Sequence, residues 1–329
     1  MRVKSNFHRD LSPLLRHHIP MMKDITRERA GNLMRWSTRA SVSVALLLVI
    51  GKAAAWGYSG SVAMLGSMTD SALDMVASLV TLYAVSHALQ PADDDHRFGH
   101  GKAEALAGLF QASIMSGSAL FLLLQSIEHL ASGNVPVASE LVINVSIFAI
   151  VLTLALVAFQ SYVVRHTGSL AISGDHLHYK GDLLLNLGVI VAAWASAKDY
   201  AGADGAFGIL IAGYILHGAW HVGRPALDML MDKEFSEEAR EKIFNLVMES
   251  PDVIGLHDLR TRSAGRDHFI QMHIEVDGDI SVHAGHFIAD EVEAVIGEHF
   301  PDADILIHID PPSTRSSLLT QKELTSDKE

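Results

Sequence analysis

Two stretches of this sequence contain no charged residue over a length sufficient to cross a lipid bilayer. They cover residues 105–127 and 141–164. A helix needs about 20 predominantly apolar residues to span the hydrocarbon core of a membrane. In that core every backbone polar group must find its partner inside the protein, which a helix achieves by itself. Both stretches are therefore predicted to be transmembrane helices.

Four further apolar segments carry polar residues, as expected of helices that line the interior of a bundle. These segments are 40–56, 62–89, 178–197 and 206–223. The whole chain is 49% hydrophobic and only 19% charged, and the long apolar runs all end before residue 225. We predict an α-helical membrane protein with six transmembrane helices.

Basic residues are distributed unevenly between the two ends of these spans. They concentrate before the first span and after the second and fourth spans, namely Arg27, Arg29, Arg35, Arg39, Arg97, Lys102 and Arg165. Lysine and arginine accumulate on the cytoplasmic side of membrane proteins, so both termini are predicted to be cytoplasmic. No cleavable signal peptide is expected, because the first apolar run begins only near residue 40.

The composition limits which metal ligands and which binding partners are possible. The chain has no cysteine, which excludes disulfides and thiolate ligands, so a metal would have to be bound by His, Asp or Glu. A net charge of −13 argues against nucleic-acid binding.

A soluble domain is predicted after the last span, with 226–235 as a linker and 236–312 as the domain. Its periodicity favours the order helix, strand, strand, helix, strand, over 236–250, 256–262, 268–276, 281–300 and 305–310. Phe287, Val292, Val295 and Ile296 are expected to form the apolar face of the second helix. This order suits a small open sheet with helices on one side. The polar segments 1–30 and 313–329 are expected to be a mobile extension and a disordered tail.

Two ionisable pairs lie inside apolar segments, Asp70 with Asp74 and His178 with Asp182. Each pair is spaced i, i+4, so its side chains share one helix face. If the two helices meet, three carboxylates and one imidazole form a site for a divalent metal. A divalent ion would leave one of the three negative charges uncompensated, so the empty site is expected to take up protons and metal is expected to compete with them.

A simpler interpretation is that the pairs are hydrogen-bond partners between helices, with no metal. Lys52 is the candidate counter-charge in an adjacent span, although its side chain could instead extend to the membrane surface.

Several separated motifs resemble the cation diffusion facilitator family, and its bacterial zinc and ferrous-iron efflux members in particular. The similarity covers about residues 34–312 and includes DSALD, LQPADDDHRFGHGKAEALA, DHLHYKGD, HDLRTR and HIDP. It implies a homodimeric metal/proton antiporter of the bacterial inner membrane that works by alternating access. It also implies a cytoplasmic α/β domain that is ferredoxin-like, or metallochaperone-like, and assigns Asp70, Asp74, His178 and Asp182 to the transport site. The histidine points to Zn²⁺, with Cd²⁺ and Fe²⁺ as related substrates.

The resemblance also assigns residues outside the transport site. Asp93, His96 and His100 become a second zinc site at the membrane surface, although their spacing alone is also compatible with a solvated polar loop. Only three protein ligands are evident there, so water is expected to complete the shell. Lys102 and Asp232 become an ion pair that interlocks the dimer, although surface charges of this kind are usually only solvated. Leu177 becomes part of a hydrophobic gate.

The soluble domain is rich in histidine, which could simply be surface polarity. The resemblance selects a two-metal site at the dimer interface, with Asp310 bridging, from His257, His273, His286, His308 and Asp310. His268, His283 and His299 are expected to be surface residues. Ile309 stands where close relatives have a polar residue, and strand alternation points it away from His308 and Asp310, so one ion is expected to have a poorer shell.

The sequence suggests three candidate functions. The leading one is a proton-driven exporter of Zn²⁺. A membrane metalloenzyme is disfavoured, because no HExxH motif is present and four ligands leave no open position on the metal. A membrane-anchored metal sensor or storage protein would fit the soluble domain but not the polar residues inside the spans.

Overall fold

The computed structural model describes residues 26–60, 62–132, 140–196, 203–301 and 303–312. The chain divides into two compact units, Ile25–Lys233 with Arg262–His268, and Glu234–Thr261 with the residues from Phe269 onward. Residues 1–25 of the predicted extension 1–30, and the predicted tail 313–329, lie outside the described residues. The extension was drawn too long, because Thr26 caps a helix that begins at Arg27.

The described part of the first unit contains six long helices. They are α1 (Arg27–Ser59), α2 (Val62–Ala88), α3 (Lys102–Ser132), α4 (Glu140–Thr167), α5 (Leu170–Ser196) and α6 (Ala203–Leu230). All but α5 are long and apolar enough to cross a membrane. The hydropathy of α5 is lowered by Asp175, Lys180 and Asp182, which the bundle interior must accommodate. The predicted helical membrane domain is confirmed, and α6 runs through Pro225 to end at Leu230.

Small residues let α3 and α6 approach closely. A Cβ atom added at Gly205 of α6 would lie 2.7 Å from the carbonyl oxygen of Ser126 on α3, and one added at Gly208 would collide with the Ser126 hydroxyl. Nearer the other end, Gly223 lies against Ala112. Close approach through small residues is the common way for transmembrane helices to pack without a hydrophobic driving force.

The second unit has the predicted order of elements. They are α7 (Glu237–Met248), β1 (Gly255–Ala264), β2 (Asp267–Glu275), α8 (Val282–His299) and β3 (Ala303–Asp310), and the sheet order is β1-β2-β3. Ser236 and Ser281 cap the two helices by accepting hydrogen bonds from the backbone N–H groups of Ala239 and Ala284. The prediction of a small α/β domain is confirmed.

One face of the sheet packs on both helices. Ile270, Met272 and Ile274 of β2 are fully or almost fully buried, and they share a core with Ile243 of α7 and Ile296 of α8. Strand alternation leaves His273 on the opposite face.

The predicted apolar face of α8 was partly wrong. Phe287 is 60% exposed, whereas the buried residues of α8 are Gly285, Ile288, Val292 and Ile296. Gly285 faces the side chain of Ile309, which lies 3.6 Å from where a Cβ of residue 285 would be.

Candidate metal centre

Helices α2 and α5 bring three of the four predicted intramembrane ligands together. Nε2 of His178 lies 2.9 Å from Oδ1 of Asp74 and 3.5 Å from Oδ2 of Asp182. The ligand atoms of all three residues lie within 4.8 Å of one another. The imidazole is buried, with its side chain 8% exposed. This is a compact set of one nitrogen and two oxygen ligands in the interior of the bundle.

Asp70 is not part of this cluster. It lies one turn before Asp74 on α2 and is exposed. Next to it, the ammonium group of Lys52 donates hydrogen bonds to Oγ of Ser71, at 2.7 Å, and to the carbonyl oxygen of Ser67, at 3.2 Å. Lys52 is thus bound to the turn of α2 that also carries Asp70.

Apolar and sulfur groups surround the other side of His178. Its Nδ1 lies 3.0 Å from the sulfur of Met115 on α3. The neighbouring Leu177 is buried in an apolar cluster with Met115 and Ile215, and its side chain occupies the space beside Gly218 of α6. Leu177 therefore closes the seam where α5 meets α3 and α6.

The sequence interpretation missed Asp175, which is buried one turn before the metal cluster on α5. Its Oδ2 accepts hydrogen bonds from Oγ of Ser41, at 2.5 Å, and from Nε2 of Gln160, at 2.7 Å. Its Oδ1 accepts one from Ser78 at 3.3 Å, and Ser78 also contacts the hydroxyl of Tyr179 at 2.9 Å. All five side chains are at most 1% exposed, so this network joins α1, α2, α4 and α5 through polar contacts alone. Asp175 belongs to the DHLHYKGD motif, which was the available signal.

The loop after α2 brings its three predicted ligands together. Oδ1 of Asp93 lies 3.3 Å from Nδ1 of His96, and Oδ2 lies 3.2 Å from Nε2 of His100. The backbone N–H groups of His96 and Asp95 donate to Asp93 at 2.7 and 3.1 Å. The pKa of Asp93 is lowered, mainly by the backbone hydrogen bond from His96. The carboxylate is therefore held ionised and oriented, as a metal ligand must be.

In the second unit, three of the predicted histidine ligands converge on Asp310, so four of the five predicted residues meet. Oδ2 of Asp310 lies 2.8 Å from Nδ1 of His273 and 3.5 Å from Nε2 of His257, while Oδ1 lies 3.2 Å from Nε2 of His308. The pKa of Asp310 is lowered, first by the hydrogen bond from His273. Both carboxylate oxygens are thus engaged, which is the arrangement of a bridging ligand.

His286 is the predicted ligand that this cluster does not include. Its side chain is 71% exposed on α8, and its Nδ1 lies 3.5 Å from Asp290. Asp258 was not predicted, yet it forms a ligand group with His257 and His273 and has a positive φ of 49°. Ile309 points into the core toward Gly285, away from His308 and Asp310, as strand alternation predicts.

Lys102 and Asp232 form an ion pair within the chain. Nζ of Lys102 lies 2.9 Å from Oδ1 of Asp232, and Nη1 of Arg262 lies 3.4 Å from the same oxygen. Partial burial acts to raise the pKa of Asp232, but the hydrogen bonds from Lys102 and Arg262 outweigh it and lower the pKa. Asp232 therefore stays ionised at neutral and mildly acidic pH.

Comparison with known protein families divides the chain where its composition changes. Residues 38–231 match the cation efflux transmembrane domain, and residues 235–312 match the cytoplasmic domain of cation efflux proteins. Together the two matches cover most of the chain.

Curated relatives match over nearly their whole length. A cation-efflux pump named FieF from Shewanella oneidensis is 44% identical over 278 residues, which is 84% of this chain and 94% of the relative. The FieF pump of Yersinia enterocolitica is 44% identical over 272 residues, 83% of this chain and 90% of its own. That of Escherichia coli is 42% identical over 283 residues, 86% of this chain and 94% of its own.

Among solved structures, the zinc form of CzrB, described as a zinc transporter, covers 26% of this chain and 97% of its own, with 32% identity. Its TM-score of 0.25 is too low to support a conclusion.

Proposed function

Because this chain belongs to the cation diffusion facilitator family of cation-efflux transporters, we propose that it exports Zn²⁺ from the cytoplasm in exchange for protons. The family membership makes it a multi-pass membrane transporter and not an enzyme. The observation that carries the proposal is the meeting of Asp74, His178 and Asp182 between α2 and α5, inside the apolar bundle.

Charge explains why metal and protons exchange at this site. Asp74 and Asp182 are brought to the same imidazole, and Asp70 adds a third carboxylate one turn away. So many negative charges are costly inside a membrane, and either a divalent ion or protons relieve that cost. Metal binding requires His178 to be neutral, so loading the site with metal releases any proton that it holds. Entry of protons from outside would then displace the metal.

The ligand set favours zinc among divalent ions. One imidazole nitrogen with carboxylate oxygens is a usual zinc environment, and four ligands complete its tetrahedral shell. Asp70 is proposed as the fourth ligand, brought in when α2 shifts relative to α5. Cd²⁺ and Fe²⁺ are proposed as further substrates, because imidazole also suits these softer ions better than Mg²⁺ or Ca²⁺.

The remaining assignments follow the same proposal. Alternating access would expose a fixed site to either side as helices rock, with Leu177 closing one route. The protein would act as a homodimer in the bacterial inner membrane, with both termini in the cytoplasm. Each protomer would consist of a transmembrane domain, 31–225, and a cytoplasmic domain, 236–312, joined by the linker 226–235. Metal binding at the loop and at Asp310 would favour the state that binds it better, and so regulate transport.

Transport by purified protein in proteoliposomes tests the proposal. With an imposed proton gradient, Zn²⁺ uptake should be lost in Asp74→Ala and in His178→Ala. The matched control is His221→Ala, which removes an exposed histidine from α6 and should transport normally. Unchanged uptake in both site variants would refute the proposal. Saturable binding by the intact protein without any flux would favour the metal sensor or storage protein instead.

A further inference from the structure

Two of the three ligands in the loop site are held in place, His100 by burial and Asp93 by backbone hydrogen bonds. The side chain of His100 is only 2% exposed, and its Nδ1 is buried without a hydrogen-bond partner among the described residues. The backbone N–H groups of Asp95 and His96 donate hydrogen bonds to the carboxylate of Asp93 and so fix its orientation. A tetrahedral zinc ion takes four ligands, and Asp93, His96 and His100 supply three.

A third imidazole already contacts this site. His87, in the last turn of α2, has its ring centroid 4.4 Å from that of His100, with the ring planes at 63°. The centroids of His96 and His100, both in the cluster, are 4.6 Å apart. Two imidazoles bound to one zinc at about 2.1 Å have centroids roughly 5 Å apart, so His87 lies at the spacing of a co-ligand. The group whose ligand atoms lie within 4.8 Å of one another is Asp93, His96 and His100, so the ring of His87 has to reorient to direct a nitrogen at the ion.

The rest of the environment of His87 leaves it available for this role. The residue is half-buried, and its ring stacks on Tyr83, one turn earlier, with an interplanar angle of 8° and centroids 5.9 Å apart. Among the described residues its other ring contact is with His100.

We propose that His87 is the fourth ligand of the loop site, so that Asp93, His96, His100 and His87 enclose one zinc-type divalent ion without water. This rests on the proposed metal binding by the loop. Closed four-ligand sites are structural, whereas sites that release their ion keep an open position. The bound ion would tie the loop to the end of α2, about 20 Å along the helix axis from Asp74. Zinc in the cytoplasm would then set the position of the helix that carries half of the transport site.

The test measures metal binding by the full-length protein in detergent, with Asp74→Ala and Asp310→Ala present to weaken the other two clusters. Zn²⁺ affinity is measured by competition with a chelating dye, and Co²⁺ absorption in the visible range reports whether four ligands surround the ion. His87→Phe keeps a ring against Tyr83 and removes only the nitrogens. The control is His166→Phe at the end of α4, where His166 lies against Tyr162 at 4.2 Å with the same i, i+4 spacing.

We expect His87→Phe to weaken Zn²⁺ binding by at least about tenfold, since even outer partners of ligands cost that much. The intense four-coordinate Co²⁺ spectrum should be lost as well, and His166→Phe should change neither quantity. A tetrahedral spectrum that survives in His87→Phe would overturn the assignment, even if affinity falls, because His87 would then only orient His100.

His100→Ala separates this proposal from the one it rests on. If His100→Ala abolishes binding and His87→Phe does not affect it, the loop site exists with three ligands, and only the role of His87 is refuted. If neither variant changes binding, the loop site itself is absent and both proposals for the loop fail.

Discussion

The buried network around Asp175 predicts that the number of hydrogen-bond acceptors, more than the charge, sets the stability of the bundle. In Asp175→Ala, Ser41 can turn its hydroxyl to the carbonyl oxygen of Ser37, at 3.1 Å, and Ser78 can donate to Tyr179. The amide of Gln160 keeps the hydroxyl oxygen of Ser41, at 3.0 Å, as the acceptor for one of its two N–H groups. Its other N–H loses Asp175 and, among the described residues, has no second acceptor. In Asp175→Asn, the amide oxygen can replace Oδ2 while the new NH₂ group donates to Ser78.

The hydrogen-bond partners that each variant keeps or loses determine how much its unfolding free energy should change. An unsatisfied buried donor costs about 1–3 kcal/mol, and a void the size of the lost carboxylate costs about 1 kcal/mol. Asp175→Ala should therefore lower the unfolding free energy by about 2–4 kcal/mol, which is roughly 4–16 °C in melting temperature for a unit of this size. Asp175→Asn should stay within about 1 kcal/mol of wild type, because each donor keeps an acceptor.

Thermal unfolding in detergent, followed by tryptophan fluorescence, measures these differences. A third variant isolates the amide: in Asp175→Ala with Gln160→Met, the unsatisfied donor is removed together with its partner. The unfolding free energy of the double variant should lie only about 1 kcal/mol below that of the wild type, and this remaining loss is due to the void. The reasoning is refuted if Asp175→Asn destabilises the protein as much as Asp175→Ala does. It is also refuted if the double variant melts at a lower temperature than Asp175→Ala.

Three other predictions follow from the packing and charges. Gly174→Ala should destabilise, because its Cβ would lie 2.7 Å from Cβ of Gln111, whereas Gly117→Ala, with no atom within 4 Å, should stabilise α3 by up to about 1 kcal/mol; melting temperatures decide. In α8, Ile296→Ala should cost about 2–5 kcal/mol and Phe287→Ala under about 0.5, and equal losses in urea unfolding would contradict the observed face. Because the folded-state pKa of Asp232 is lowered, its ionised form stabilises the protein above the usual value near 4, and this contribution is lost as pH falls through the folded-state pKa. Asp232→Asn should make the unfolding midpoint less acid-dependent in that range, and an unchanged pH profile would exclude the effect.

The sequence was sufficient for features that depend on one element at a time. Bilayer thickness fixes the length of a span, so the charge-free runs could be placed before any packing was known. The i, i+4 spacing put His178 and Asp182 on one face of α5, and alternation put His308 and Asp310 on one face of β3. Ser236 and Ser281 marked the helix starts of the second unit by their capping chemistry.

Features that depend on several elements meeting could not be predicted in this way. The partners of Asp175 come from three other helices, and no local spacing connects Ser41, Ser78 and Gln160. The ring of His87 reaches His100 only because the chain turns back after α2. On α8 the apolar pattern favoured Phe287, Val292, Val295 and Ile296, and it did not reveal that Gly285 would be buried and Phe287 exposed.

The hydrogen bond from Lys52 to Ser71 has an electrical consequence for the proposed exchange. If the positive charge of Lys52 is counted with the negative charges of Asp70, Asp74 and Asp182, a bound divalent ion brings their formal sum to zero. Two protons in place of the ion give the same sum. Each uncompensated charge moved across a membrane is worth about 2.3 kcal/mol per 100 mV. An exchange of one divalent ion for two protons would move no net charge across the membrane, so the membrane voltage would not affect it. The pH difference would then be the only part of the proton gradient that drives the pump.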